Sequence, residues 1–172
     1  MRITDKRFFE LPALALAEAL LGKIFVHCTD DGRLIRRRIT ETEAYCGRED
    51  TASHAHKGLT KRTAPMFEAG GILYVYLCYG IFDLLNIVSG QKDAPEAVLI
   101  RGVEGAEGPG RAGRALEITR TLNREDLTTS PHVWLEEDGF RLAPESIQRL
   151  KRVGISYAAP EDQEKLWRFK GL

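Results

Sequence analysis

A chain of 172 residues can bury one substantial core but is too short for two ordinary domains and a linker, so one domain spanning residues 1–172 is expected. Its 43% hydrophobic and 29% charged content excludes a chain kept disordered by low hydrophobicity and high net charge. Twenty-five basic residues balance twenty-five acidic ones, so a nucleic acid, membrane surface or acidic partner would have to be recognised by local patches, not by overall charge.

The chain begins with a charged segment, and the apolar run that follows is broken by Glu10, Pro12 and Glu18, unlike a signal peptide or membrane span. A cytoplasmic monomer without membrane partners is expected, nucleoid-associated if bacterial. Pro12 suits the first turn of a helix over residues 13–21, and Gly22 supplies its stop. Residues 23–28 and 34–44 are predicted strands, joined around Asp31-Gly32 in a hairpin. Residues 72–78 and 81–88 form a second predicted hairpin with Tyr79-Gly80 at its tip, and 97–101 a short buried strand. Helical patterns follow at 111–122 and at 144–153, the latter opened by Pro144 and closed by Gly154. Helices at the ends and strands in the middle argue for an α+β fold: a central, mostly antiparallel curved sheet, flanking helices and a protruding hairpin. Cys28, Cys46 and Cys78 are odd in number and far apart, which fits reduced, structural thiols better than disulfides or a CxxC metal site.

Strand periodicity puts Ile39, Glu41, Glu43 and Tyr45 on one face of the 34–44 strand, with Arg36, Arg38, Thr40, Thr42 and Ala44 on the other. An isolated pair of carboxylates on a strand is most often a solvated face. Here a polar loop follows and brings a second ring, His54, near the strand's end. Tyr74 and Tyr76 then share a face of the next hairpin, and Tyr79 occupies its tip. Tyrosine stripes usually serve packing, but a large ring beside a glycine at a turn has little core to enter.

The strings RITETEAYCGREDTASHA (38–55), MFEAGGILYVYLCYGIFDLLNIVS (66–89), AVLIRGVEG (97–105) and GPGRAGRAL (108–116) resemble the alkyladenine (3-methyladenine) DNA glycosylase family of bacteria and mammals. With the opening FFELPALALAEALLGK and the late Val133-Trp134-Leu135-Glu136 and Trp167-Arg168-Phe169, the resemblance covers nearly the whole chain. It implies a repair enzyme that acts on damaged purines in double-stranded DNA without a metal or other cofactor. The same resemblance makes Glu43 the general base, and Tyr45, His54 and Tyr76 the pocket walls. Asn86 becomes a discriminator against guanine on the pocket floor, Tyr79 the wedge that intercalates, and Arg101 and Arg111 phosphate contacts. Lys61 belongs with them as part of the local basic patch. Arg111 stands where many members have lysine, and Leu84-Leu85 precede Asn86 where a small residue is common, which bears on the pocket floor.

Chemistry supports these roles. A base stacked in duplex cannot present its sugar C1′ to water, so it must be extruded and its space filled. An alkylated purine is cationic and favours electron-rich rings. Loss of the base leaves an oxocarbenium-like sugar, for which an ionised carboxylate can stabilise charge and accept a proton from water. Competing readings are weaker. Gly108-x-Gly110-x-x-Gly113 satisfies a dinucleotide-binding string, but too little alternating strand and helix surrounds it for a parallel sheet. His54-x-His56 with Asp50 lacks further ligands at metal-binding spacing. A lyase would need an amine nucleophile, and Lys57 and Lys61 lie in a loop away from the carboxylates. A noncatalytic module that grips distorted DNA is the rival from another class, and it would tolerate neutralisation of Glu43.

Overall fold

The computed structural model describes residues 1–171. In chain order the elements are α1 (Lys6–Phe9), α2 (Ala13–Leu20), β1 (Ile24–Cys28), β2 (Leu34–Cys46), β3 (Leu73–Cys78), β4 (Phe82–Ser89), β5 (Glu96–Val103), β6 (Ala106–Glu107), α3 (Pro109–Ala115), β7 (Val133–Glu136), β8 (Gln148–Leu150), α4 (Pro160–Glu164) and β9 (Arg168–Lys170). The strands form one nine-stranded open sheet of order β3-β4-β5-β2-β1-β7, with β6 beside β5 and β8 joined through β9 to β2. Every strand pairing is antiparallel. The α+β expectation is borne out.

The spine is β2. Its first half pairs with β1, from Leu34 opposite Cys28 to Arg38 opposite Ile24. Its second half lies between β5 and β9, with Glu43 opposite both Leu99 and Arg168. Where the partners change, the register with β5 slips on both sides of Glu41. Gly102 faces Glu41 there, and a Cβ on it would fall 2.9 Å from Thr40 Oγ1 and 3.0 Å from Glu41 Cβ, so the irregularity needs a residue without a side chain. This slip corrects the face assigned to Ile39. An uninterrupted period of two would put Ile39 with Glu41, Glu43 and Tyr45, whereas Ile39 is in the main core with Ala44.

That core fills the space between the sheet and α2, with Leu16, Leu20, Phe25, Leu73, Leu85, Ile87 and Ile100 fully or almost fully buried. The Thr42 hydroxyl donates to the Ala17 carbonyl at 2.9 Å, tying α2 to β2. On the opposite face of the sheet a smaller apolar cluster, Ala55, Met66, Phe67, Tyr74, Val88 and Ala97, underlies the candidate site.

Two predicted helices are corrected. The 111–122 pattern is helical only to Ala115; Glu117 takes a φ of 51°, which breaks the helix, and a single 3-10 turn resumes at Arg120–Leu122. Residues 144–153 are not an α-helix. Pro144–Ser146 make one 3-10 turn, and Gln148–Leu150 pair with β9. Strand pairing there overrides the local helical pattern.

Candidate active site

Directly opposed residues in neighbouring strands share a face, and one such row crosses four strands: Glu43 on β2, Leu99 on β5, Asn86 on β4 and Tyr74 on β3. At roughly 4.8 Å per strand the row spans about 14 Å, so residues distant in sequence line one surface. Tyr45 and Tyr76 extend it along their own strands by the two-residue period.

Glu43 is wholly buried. Its Oε2 accepts from the Tyr45 hydroxyl at 2.9 Å, and its Oε1 accepts from the Val153 N–H at 3.0 Å. Arg101 Nη1 lies 3.6 Å from Glu43 Oε1, while its Nε is 3.3 Å from Glu41 Oε1. Glu41 also accepts from Arg168 Nη1 at 2.8 Å. Burial pushes the Glu43 carboxyl up from its ordinary value; the Val153 N–H, Arg101, the Tyr45 hydroxyl and Arg168 pull the other way. The carboxylate therefore sits in a donor-rich enclosure beside the pocket wall, bonded to the Tyr45 hydroxyl that forms part of that wall.

The pocket has a volume of about 320 Å³ counting its open mouth, and Tyr45, His54, Tyr76 and Asn86 all line it. His54 and Tyr76 have ring centroids 4.6 Å apart, and Tyr74 and Tyr76 5.3 Å apart. A flat base between two rings needs them about 7 Å apart, twice an ordinary carbon–carbon contact. His54 and Tyr76 are thus one packed wall, and Tyr45 lines the same pocket. His54 Nδ1 lies 2.9 Å from the Tyr74 hydroxyl, and burial, with Arg62 and Lys57 nearby, lowers its pKa to about 4. Asn86 Nδ2 donates to the Tyr74 carbonyl at 3.1 Å, which fixes the amide at the floor. Leu85 points into the core, so of the Leu84-Leu85 pair only Leu84 shares the Asn86 face.

Tyr79 is 85% exposed at the hairpin tip, and both Tyr79 and Gly80 have positive φ, 52° and 68°. The Ile81 N–H closes the turn onto the Cys78 carbonyl at 3.1 Å. Lys61 and Arg111 are exposed, the first beside β3 and the second on α3. Arg101 turns inward to the two carboxylates, its side chain 17% exposed. His54 and His56 use different partners, since His56 Nδ1 lies 2.6 Å from the Arg48 carbonyl. Two glycines of the Gly108–Gly113 string have a packing role: a Cβ on Gly110 would fall 2.6 Å from the Phe82 ring, and one on Gly113 2.5 Å from the Asp83 carbonyl oxygen, whereas Gly108 has open space around it and a φ of 92°.

Sequence reasoning missed Tyr157, which lines the pocket mouth and donates its hydroxyl to the Ala52 carbonyl at 2.7 Å. It also missed the Val153 amide and Arg168 beside Glu43 and Glu41. All three come from the segment after residue 150, which carries no local pattern pointing to a site. Met66 and Ala97 line the pocket too and were readable only as apolar residues.

Fold and site together define an α+β protein with an antiparallel sheet that carries a pocket walled by aromatic rings, one of them bonded to a buried carboxylate. Residues 7–107 and 104–171 match the family described as Methylpurine-DNA glycosylase (MPG), and the chain belongs to that family. A protein of Chlorobium phaeovibrioides is 40% identical over 98% of this chain and 92% of its own length. One of Methanocella arvoryzae is 38% identical over 98% and 92%, and one of Chlorobium phaeobacteroides is 55% identical over 74% of each chain. All three bear the name "Putative 3-methyladenine DNA glycosylase".

Proposed function

We propose that the protein is a monofunctional DNA glycosylase of base excision repair that extrudes alkylated purines, 3-methyladenine foremost, and hydrolyses their N-glycosidic bond. The observation that carries this reading is the junction of Glu43 with the aromatic slot through the Tyr45 hydroxyl. The names of the relatives support the substrate class.

An extruded cationic purine enters between Tyr45 and the His54–Tyr76 wall, where each good ring contact contributes about 0.5–2 kcal/mol. Asn86, held by the Tyr74 carbonyl, meets the base edge and disfavours guanine's extra amino group. As the C1′–N bond breaks, its electron pair leaves with the purine. The sugar gains oxocarbenium character, water adds to C1′, and Glu43 accepts the water's proton. Arg101 and the Val153 N–H favour the ionised carboxylate against the burial that pushes its pKa up. None of the side chains that line the slot is a lysine, which favours direct hydrolysis over a Schiff-base lyase. Tyr79 fills the vacated stack, while Lys61 and Arg111 contact phosphates. A phosphate role for Arg101 would have to compete with two carboxylates.

Glu43→Gln keeps the shape and removes the base. It should retain lesion binding while single-turnover base release falls by about 10²–10⁴. Near wild-type excision by this variant would remove Glu43 as the general base, whereas intact DNA binding with no base release by the wild-type protein would leave the noncatalytic DNA-binding module as the better reading.

A further inference from the structure

The chemistry above leaves one buried ion pair without a use. Arg152 and Asp50 both have fully buried side chains, and they meet in a two-pronged bridge: Nη1 to Oδ2 at 2.6 Å and Nη2 to Oδ1 at 2.9 Å. Arg152 Nη1 also donates to the Ala44 carbonyl at 3.0 Å, on the backbone between Glu43 and Tyr45. Nη2 reaches the Asp162 carbonyl at 3.3 Å. The guanidinium carbon lies 5.0 Å from the centroid of the Tyr45 ring and 4.9 Å from that of Trp167. Asp50 in turn accepts from the Cys46 N–H at 3.0 Å and the Ala52 N–H at 3.1 Å. The pair therefore ties together the end of β2, the loop that borders the pocket and the segment following β8. The residue after Arg152 is Val153, whose N–H bonds Glu43.

We infer that Arg152 is a positioning residue: anchored by Asp50, it holds the Val153 amide on the Glu43 carboxylate and braces the Tyr45 ring from the side away from the base. The inference rests on the reading of Glu43 as the general base. Arg152 is not among the residues lining the pocket, so it acts through Glu43 and Tyr45. Stability alone is a poor reason for such a pair, because burying two charges recovers little over apolar packing. Its Nε is moreover buried with no partner. What the pair provides is geometry, since a two-pronged bridge with additional backbone bonds fixes direction as well as distance.

Titration separates positioning from bulk stability. The groups that face Glu43 are the Tyr45 hydroxyl and Glu41 from β2, Arg101 from β5, Arg168 from β9 and the Val153 N–H. The Val153 N–H lies next to Arg152 in the chain, the Tyr45 hydroxyl belongs to the ring that Arg152 braces, and Arg168 donates its Nε to the Lys151 carbonyl of the same segment at 2.6 Å. Releasing the amide removes a donor that favours the carboxylate, so the acid limb of the rate profile moves to higher pH.

The test uses the full-length protein, duplex DNA carrying methylated purines, and single-turnover excision measured from pH 4.5 to 9. Arg152→Lys keeps the charge but loses the two-pronged bridge; the double variant Asp50→Asn with Arg152→Gln strands no buried charge. Both should release base about 10- to 100-fold more slowly at neutral pH, the cost of a displacement near 1 Å at the reacting groups. Both should also shift the acid limb upward and bind lesion DNA with wild-type affinity. A folded variant with wild-type rate and limb overturns the inference. So does a slower variant whose limb is unmoved, or failure of both variants to fold, since each assigns the pair a purely structural role. Glu43→Gln run in parallel distinguishes the levels: its retained activity sinks the general base itself, whereas its inactivity beside normal Arg152 variants sinks only the positioning role.

Discussion

His54 is held neutral at the pocket wall, its pKa lowered to about 4 by burial together with Arg62 and Lys57. A folded value below the unfolded one of about 6.5 means that, as pH falls from 6.5 towards 4, the unfolded chain takes up the proton first. Stability contributed by His54 is thus complete above pH 6.5 and lost as pH falls through that window. Glu43 works in the opposite sense, because a raised carboxyl makes the folded state the better proton acceptor above the ordinary carboxylate value. The two overlap, so the informative quantity is a difference between proteins. The urea midpoint of His54→Asn should fall less steeply than that of wild type between pH 6.5 and 4. Parallel curves would mean that the ring is not held neutral. Cys46 lies under the same sheet end, and burial pushes its thiol up to about 12, so it is an unreactive neighbour.

The β3–β4 hairpin exposes Tyr79 and Ile81 at its tip. Tyr79 adopts a left-handed conformation uncommon for a bulky residue, and such positions persist where surrounding structure imposes them. The turn is closed by the Ile81 N–H on the Cys78 carbonyl, and α3 packs so closely on the hairpin's base that Gly110 and Gly113 admit no Cβ, with the Arg114 guanidinium 4.5 Å from the Phe82 ring centroid. A ring on a rigid tip can replace an extruded nucleotide in the stack. Tyr79→Ser should keep the fold and DNA affinity but lose base flipping, most severely for stably paired lesions and less for bulged ones, where less unpairing must be offset. The assay is 2-aminopurine fluorescence beside the lesion with single-turnover excision on both substrates. Wild-type behaviour on both would make Tyr79 a surface aromatic.

Over the whole molecule charge cancels in sum but not in place. Most basic side chains are committed to carboxylates, as in Arg33–Glu117, Arg38–Asp138 and Arg149–Glu18. Among the described residues Arg48, Lys57, Lys61 and Arg62 of the loop before β3, and Arg111 and Arg114 of α3, form no salt bridge. The first group borders the pocket and hairpin, and the second supports the hairpin's base. Arg2, Arg37 and Lys92 also form no salt bridge among the described residues but lie away from the pocket's lining, so the cations beside the pocket and hairpin are the ones we propose for phosphates. Affinity for duplex DNA should therefore fall steeply with salt, and Lys61→Ala should reduce the slope of log K against log salt by about 0.9 while weakening all sequences alike. An unchanged slope would remove Lys61 from the interface.

Local chemistry by itself determined α2, both hairpins and the α+β class, because each depends on short-range signals: a proline and glycine bounding a helix, period-two alternation, an Asp-Gly or Tyr-Gly turn. The family strings added the pocket roles of Tyr45, His54, Tyr76 and Asn86 and the roles of Glu43 and Tyr79, which spacing alone could not assign. Tertiary structure decided the rest. The register slip beside Glu41 moved Ile39 to the core, since a one-residue irregularity reverses a face and leaves no mark in composition. Pairing with β9 made a strand of Gln148–Leu150, where the local pattern favoured a helix. That same segment then delivered Arg152, the Val153 amide and Tyr157 to Glu43 and the pocket from more than a hundred residues away, a placement set by strand pairing and buried charge rather than by any local preference.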